Sequence, residues 1–257
     1  MEPSADALQR YFLELSYDGT DYFGWQKQPK DISVQEVIET QLSKLHSNQA
    51  ISVVGCGRTD TGVHAHHYIL HVDIPAVKDV DHFRFKLNRM LPDSIAIQNV
   101  YRVSEDWHAR FSATARTYRY FVHQQKNPFA SRSSLYFPQE LYLKAMNEAA
   151  QLLLGKQDFT SLSKLHTDVK TNICTITHAK WEADGNQLYF EISADRFLRN
   201  MVRATVGMLL EVGLGKIPPS EVTKILAAKD RGAAATSVPP QGLFLWKIEY
   251  DGLQKGQ

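Results

Sequence analysis

Asp60 is the side chain around which chemistry is easiest to imagine. It stands in Gly55-Cys56-Gly57-Arg58-Thr59-Asp60-Thr61-Gly62-Val63-His64-Ala65, which gathers one carboxylate, one guanidinium and two hydroxyls into a turn rich in glycine. Ionised, such a carboxylate can act as a nucleophile or as a base. Before it, Ile51, Val53 and Val54 are β-branched and predict the end of a strand. After it, Val63 to Val72 predicts another strand. Asp60 is therefore expected on a loop at a sheet edge, where chemistry is often placed. Glycines at 55, 57 and 62 let the chain bend and let another molecule approach.

Three loop types can be tried on this stretch. A nucleoside-triphosphate loop needs Gly, four residues, then Gly-Lys-Ser/Thr. Gly57 and Gly62 have the spacing, but Val63-His64 follow. A dinucleotide loop needs a third glycine where Asp60 stands, and a helix where β-rich sequence follows. A metal site could use Asp60 with His64, His66, His67 and His71, since imidazole suits zinc or iron. No distant Cys, His or carboxylate cluster stands out to complete it. The plainest alternative is a tight turn in which Asp60 caps backbone amides.

The elements that must position this loop alternate along the chain. Tyr11 to Tyr17 predicts a strand. Ser33, with Glu36 three residues on, predicts a helix start running to about Leu45. Asp81 to Leu91 predicts a short helix stopped by Pro92. Ile95 to Val103 and Thr117 to His123 predict strands. Leu141 to Leu154 predicts a helix ended by Gly155. Ile173 to Glu182 and Leu188 to Ser193 flank Asp184-Gly185-Asn186 and predict a hairpin. Helices are expected over Leu198 to Val212 and Pro219 to Lys229, and a last strand over Leu243 to Tyr250. Strands outnumber helices and hairpins make the pairing antiparallel, which is an α+β pattern.

Two segments carry local positive charge. From His108 to Gln139 there is no Asp or Glu, while Arg110, Arg116, Arg119, Lys126 and Arg132 interleave with Phe111, Tyr118, Tyr120 and Phe121. Cations with aromatic rings suit a phosphate backbone and unstacked bases; a solvated strand face over core aromatics would read the same way. Strand alternation puts Tyr118, Tyr120 and Val122 on one face and Arg119 and Phe121 on the other. On the helix expected over Leu198 to Val212, Arg196, Arg199 and Arg203 fall on one side. Leu198, Met201, Val202, Thr205, Leu209 and Val212 form its buried side.

Composition sets outer bounds. The chain has 257 residues, is 43% hydrophobic and carries a formal charge of +1. That length fits one large domain or two small ones. Near-neutrality excludes a global basic field, so any nucleic-acid binding must come from local patches. Only Cys56 and Cys174 are present, which speaks for free thiols in a reducing compartment. No apolar run approaches a membrane span, and Met1 to Arg10 lacks a signal-peptide core.

Gly57-Arg58-Thr59-Asp60-Thr61-Gly62-Val63-His64-Ala65 resembles the signature of the TruA-type tRNA pseudouridine synthase family. The resemblance runs almost the whole chain. Leu15 to Thr20 with Phe23-Gly24-Trp25-Gln26 is similar to the family's opening strand and loop, and Ser33-Val34-Gln35-Glu36 to its first helix start. Ala109 to Ala113 and Ala115 to Tyr120 are similar to its central motifs. Phe197 to Arg203 and Gly242 to Leu245 are similar to its late ones. Thr61 stands where many members have alanine, and His66-His67 where Gly-Gln-like residues are expected.

The resemblance implies two related halves sharing a largely antiparallel sheet, with helices on one face and an RNA-binding cleft on the other. The expected division is 1–105, with the Asp60 loop, and 106–257, with a base pocket, an arginine helix and the last strand. The implied reaction converts uridine to pseudouridine in the tRNA anticodon stem–loop, at positions 38, 39 and 40. Asp60 is the expected nucleophile, Arg203 its pairing arginine, and Tyr118 a ring that stacks on uracil and serves proton transfer. Arg58, Arg110 and Leu243 are expected to contact substrate. The reaction calls for no metal and no nucleotide or other cofactor. The expected state is a cytoplasmic homodimer acting on tRNA, with no membrane association. A metal-dependent hydrolase and a catalytically silent RNA-binding protein are the alternatives from other classes.

Overall fold

A computed structural model describes residues 8–164 and 171–253. They fall into two compact units, the first formed by residues 8–114 with 245–253 and the second by Ala115–Phe244.

The first unit is built on strands β1 (Leu8–Tyr17), β2 (Val53–Gly55), β3 (His64–Pro75) and β4 (Ile95–Arg102), with helices α1 (Val34–Leu45) and α2 (Val80–Met90). β1 lies between β4 and β3, antiparallel to both, and β2 pairs antiparallel with β3. α1 starts where the sequence predicts. Ser33 Oγ accepts the Glu36 amide at 3.2 Å, satisfying one of the N–H groups a helix start leaves open. Val34, Ile38 and Leu42, spaced by four, are its buried stripe. α2 is capped by Asp79, whose Oδ1 accepts the His82 amide at 2.9 Å. It ends as Leu91 turns extended ahead of Pro92. β1 is buried on both faces, since Phe12 and Leu13 are both fully enclosed. Phe12 packs against Tyr250 and Trp107, at ring separations of 5.4 and 6.3 Å.

The second unit contains β5 (Ala115–His123), β6 (Leu135–Tyr136), α3 (Leu143–Gln151), β7 (Gly155–Asp158), β8 (Ile173–Asp184), β9 (Gln187–Ala194), α4 (Met201–Gly213) and α5 (Glu221–Ala228). The order β5-β9-β8-β7 is antiparallel throughout, and β6 joins β5 in parallel. β8 and β9 form the expected hairpin, and Gly185 turns it at φ +58°. The last strand, β10 (Leu243–Glu249), begins in this unit and ends in the first.

The α+β class and largely antiparallel pairing match the sequence reading. Two local expectations need correction. β7 was not expected; Gly-Lys-Gln-Asp has no apolar alternation, and pairing with Ile173 to Ile176 holds it extended. α3 correspondingly stops at Gln151. α4 begins at Met201 rather than Leu198, because Asn200 is left-handed at φ +66° and the Arg199 carbonyl accepts the Lys164 amide. Arg196 and Arg199 are therefore off the helix, and the expected three-arginine stripe does not form. Among the described residues, no helix is long and apolar enough to cross a membrane.

Candidate active site

In the first unit, β2 ends at Gly55, β3 starts at His64, and the Asp60 loop joins them. Thr59 is buried, Asp60 half-buried and Arg58 exposed. The chain just before Asp60 is held at three points. Thr59 Oγ1 hydrogen-bonds the Tyr17 hydroxyl at 2.9 Å, the Thr59 carbonyl accepts the Trp25 amide at 3.3 Å, and the Gly57 carbonyl accepts the Tyr68 hydroxyl at 2.5 Å. Beyond it, the Val63 amide closes a turn onto the Asp60 carbonyl at 3.1 Å, and Gly62 donates to the Tyr22 carbonyl at 3.2 Å. Gly24 sits at φ +82°, and a Cβ there would lie 2.3 Å from the Thr59 oxygen. A Cβ on Gly55 would lie 2.0 Å from the Tyr68 hydroxyl. Arg58 Nε donates to Gln26 Oε1 at 3.2 Å. The result is a carboxylate on a braced loop, beside an exposed guanidinium.

Arg110 belongs to the same unit. It is exposed, with its guanidinium carbon 5.7 Å from the centre of the Phe111 ring. Imidazoles anchor this corner: His71 Nδ1 accepts the Ala109 amide at 3.0 Å, and His108 Nδ1 accepts the Arg110 amide at 3.1 Å. Burial pushes the His71 imidazole down to about 4, helped by the nearby Arg10 and His108 charges. The other histidines that follow Asp60 have separate tasks. His64 accepts the Gly19 amide, His66 stacks on Trp246 at 4.1 Å, and His67 accepts the Ile248 amide. They do not converge, and among the described residues no group of His, Cys, Asp and Glu is arranged to hold a metal ion.

The second unit places Tyr118, Arg203 and Leu243. Tyr118 lies on β5 opposite Ile192, half-buried, with its ring edge-on to Phe197 at 5.1 Å. Arg119 takes other partners, Glu191 at 2.6 Å and the face of Tyr189 at 4.7 Å, as strand alternation predicts. Arg203, on the first turn of α4, donates from Nε to the Val238 carbonyl at 2.7 Å and accepts the Val238 amide on its own carbonyl at 3.2 Å. The Pro239 carbonyl accepts the Tyr120 hydroxyl at 2.8 Å. Burial drives that phenol well above its ordinary value, and the Arg203 charge opposes this. Leu243 is buried just after the turn Pro240–Gly242. Residues 238–243 thus tie Arg203, Tyr120 and Leu243 to one piece of backbone.

Sequence reasoning gave no individual role to Tyr17, Tyr68, Tyr120 or Val238, although Tyr17 and Tyr120 lie inside motifs it named. Tyr120 shares Tyr118's strand face, so alternation offered a signal. For Tyr17 and Tyr68 the local pattern shows only core aromatics, and Val238 carries no signal because its contacts are made by main chain.

A carboxylate presented on a braced loop in an α+β chain fits an enzyme, and comparison with known proteins narrows the class. Residues 15–112 and 149–251 match the family described as tRNA pseudouridine synthase. The chain belongs to that family and is an enzyme, an isomerase. It is similar to the tRNA pseudouridine synthase A of Bacteroides fragilis, at 49% identity over 95% of this chain and 97% of the relative. The corresponding protein of Bacteroides thetaiotaomicron is 50% identical over 95% of this chain and 91% of the relative. That of Bacillus subtilis is 41% identical over 92% and 97%.

Proposed function

We propose that this enzyme converts uridine to pseudouridine at positions 38, 39 and 40 of the tRNA anticodon stem–loop, with Asp60 as nucleophile. The observation that supports it most is the family match across both units, together with the half-buried Asp60 on a loop braced on either side. In the reaction, the bond between uracil N1 and ribose C1′ breaks, the base turns, and C5 joins C1′. C5 loses a proton and N1 gains one, so composition and oxidation state are unchanged. Ionised Asp60 attacks C1′ and is released when C5 closes on it. Arg203 pairs with Asp60 and orients it; a fixed guanidinium does this bidentately, where an ammonium would not. Tyr118 stacks on the uracil, a contact worth about 1–3 kcal/mol in single-strand binders. Its hydroxyl takes part in moving the C5 proton.

The target base must leave its stack, at a cost of a few kcal/mol, on the order found for other flipped bases. Arg58 and Arg110, both exposed, hold RNA phosphates or fill the vacated space. Leu243 supplies an apolar wall for the base. In this scheme the 1–105 half contributes Asp60, and the 106–257 half contributes the base pocket. The enzyme works as a homodimer in the cytoplasm, a setting that suits its two buried free thiols.

Mapping pseudouridine in an unmodified tRNA transcript, with no added metal or cofactor, tests the proposal. The wild type is expected to modify the anticodon stem–loop, while Asp60→Asn binds tRNA but forms no product. Turnover by that variant would remove Asp60 from the chemistry. Tight binding without product by the wild type would make this a silent RNA-binding protein.

A further inference from the structure

The mechanism above uses Asp60 but leaves unexplained why its loop holds one conformation. Glycine-rich loops are usually mobile. Here the answer lies in three aromatic residues from three separate parts of the first unit: Tyr17 at the end of β1, Trp25 in the loop before α1, and Tyr68 in β3. Trp25 and Tyr68 stack at 4.2 Å with an interplanar angle of 28°, and Tyr17 lies against Tyr68 at 5.6 Å. All three are buried. Their two hydroxyls and one main-chain amide meet residues 57–59. Tyr68 donates to the Gly57 carbonyl, Tyr17 meets the Thr59 hydroxyl, and the Trp25 amide donates to the Thr59 carbonyl. Gly55 lies so close beneath the stack that a Cβ would fall 2.6 Å from the Trp25 ring and 2.0 Å from the Tyr68 oxygen.

We propose that Tyr68, seconded by Tyr17, is a positioning residue for the reaction: its hydroxyl fixes the Gly57 peptide and so sets where the Asp60 carboxylate is presented. This rests on the reading of Asp60 as nucleophile. The physical argument is one of leverage. Thr59 and Gly57 lie one and three residues before Asp60, so rotation of either peptide swings the carboxylate. A misplacement of about 1 Å at a reacting group can cost roughly a hundredfold in rate. A phenol anchored in a ring stack is a stiff support, because its oxygen cannot move unless Trp25 and Tyr17 move with it. Tyr68 touches neither substrate nor the reacting atoms in this scheme.

The test removes single hydroxyls. Tyr68→Phe keeps the stack and loses the bond to Gly57. It is expected to lower kcat by about tenfold or more, with KM for tRNA within about twofold of wild type. Tyr17→Phe is expected to act in the same direction, which covers the case in which Tyr68→Phe fails to fold. Tyr11→Phe is the matched control; its hydroxyl accepts the Val77 amide at 2.9 Å, away from the Asp60 loop, and kcat should be retained. Hydrogen exchange gives a readout independent of activity: amides of residues 59–63 should exchange faster in Tyr68→Phe while those of residues 69–74 stay protected. Unchanged kcat in Tyr68→Phe, or a loss equalled by Tyr11→Phe, overturns the proposal. So does unchanged exchange at residues 59–63. If the wild type itself makes no pseudouridine, the role in the reaction falls with the parent reading. Faster loop exchange in the variant would then still uphold the bracing of the loop.

Discussion

Arg203 is the side chain whose chemistry can be dissected most cleanly by a conservative change. Its Nε is committed to the Val238 carbonyl, so the plane of the guanidinium is set before any substrate arrives. Lysine would preserve the charge but not the plane or the fork. Arg203→Lys is therefore expected to lower kcat by about a hundredfold or more, with tRNA affinity changed by less than about threefold. Single-turnover rates and filter binding separate the two, and equal losses in both would make Arg203 a binding residue. At this scale the sequence is informative where a site is written in consecutive residues. Gly57 to Ala65 can be read off directly. The residues that brace it cannot, because Tyr17, Trp25 and Tyr68 come together only after three parts of the chain have folded. Tyr17 and Trp25 lie in motifs that the sequence does show, but nothing in those motifs says that they brace the Asp60 loop, and Tyr68 alone looks like ordinary core.

At the scale of elements, legibility follows how local the determining contact is. The start of α1 was readable because Ser33 and the amide it accepts lie three residues apart. The start of α4 was not, since it depends on Asn200 reaching Ser237 at 2.7 Å and on Lys164 taking the Arg199 carbonyl. The expected buried side was nonetheless right: Leu198, Met201, Val202, Thr205, Leu209 and Val212 are all buried. What the pattern did not convey is that α4 is enclosed on nearly every side. Gly207 makes this testable. In an exposed helix, glycine to alanine gains about 1 kcal/mol from propensity alone. Here a Cβ would lie 2.1 Å from the Thr236 carbonyl oxygen. Gly207→Ala is thus expected to destabilise by about 1–3 kcal/mol, seen as a lower Tm. A raised Tm would mean that the segment at 236 yields easily.

For the whole molecule, the near-neutral charge hides an acid sensitivity, part of which lies in the first unit. His71 is buried and neutral, and its depressed value of about 4 means that the native state resists taking a proton there. The unfolded chain takes that proton at about 6.5. Stability from this group is complete above that value and is lost as pH falls toward 4. Asp73, held below the usual carboxylate range mainly by its hydrogen bonds with Arg10, adds a loss in the same direction at lower pH. Together they predict a Tm that drops steadily between pH 7 and pH 4, with about 3 kcal/mol attributable to His71. His71→Gln should start lower at pH 7 and fall less on acidification; an unchanged slope would assign the sensitivity elsewhere.

The bond from Arg203 to the Val238 carbonyl has a consequence for mutational tolerance. An anchor made by a side chain can be deleted by a single codon change in the partner. This one is offered by main chain, so every residue type at 238 supplies the acceptor, and only proline would remove the returning amide. The orientation of the guanidinium is insulated from drift at the position that sets it. Inheritance acts on the arginine itself and on the path of the backbone, not on the identity of its neighbour.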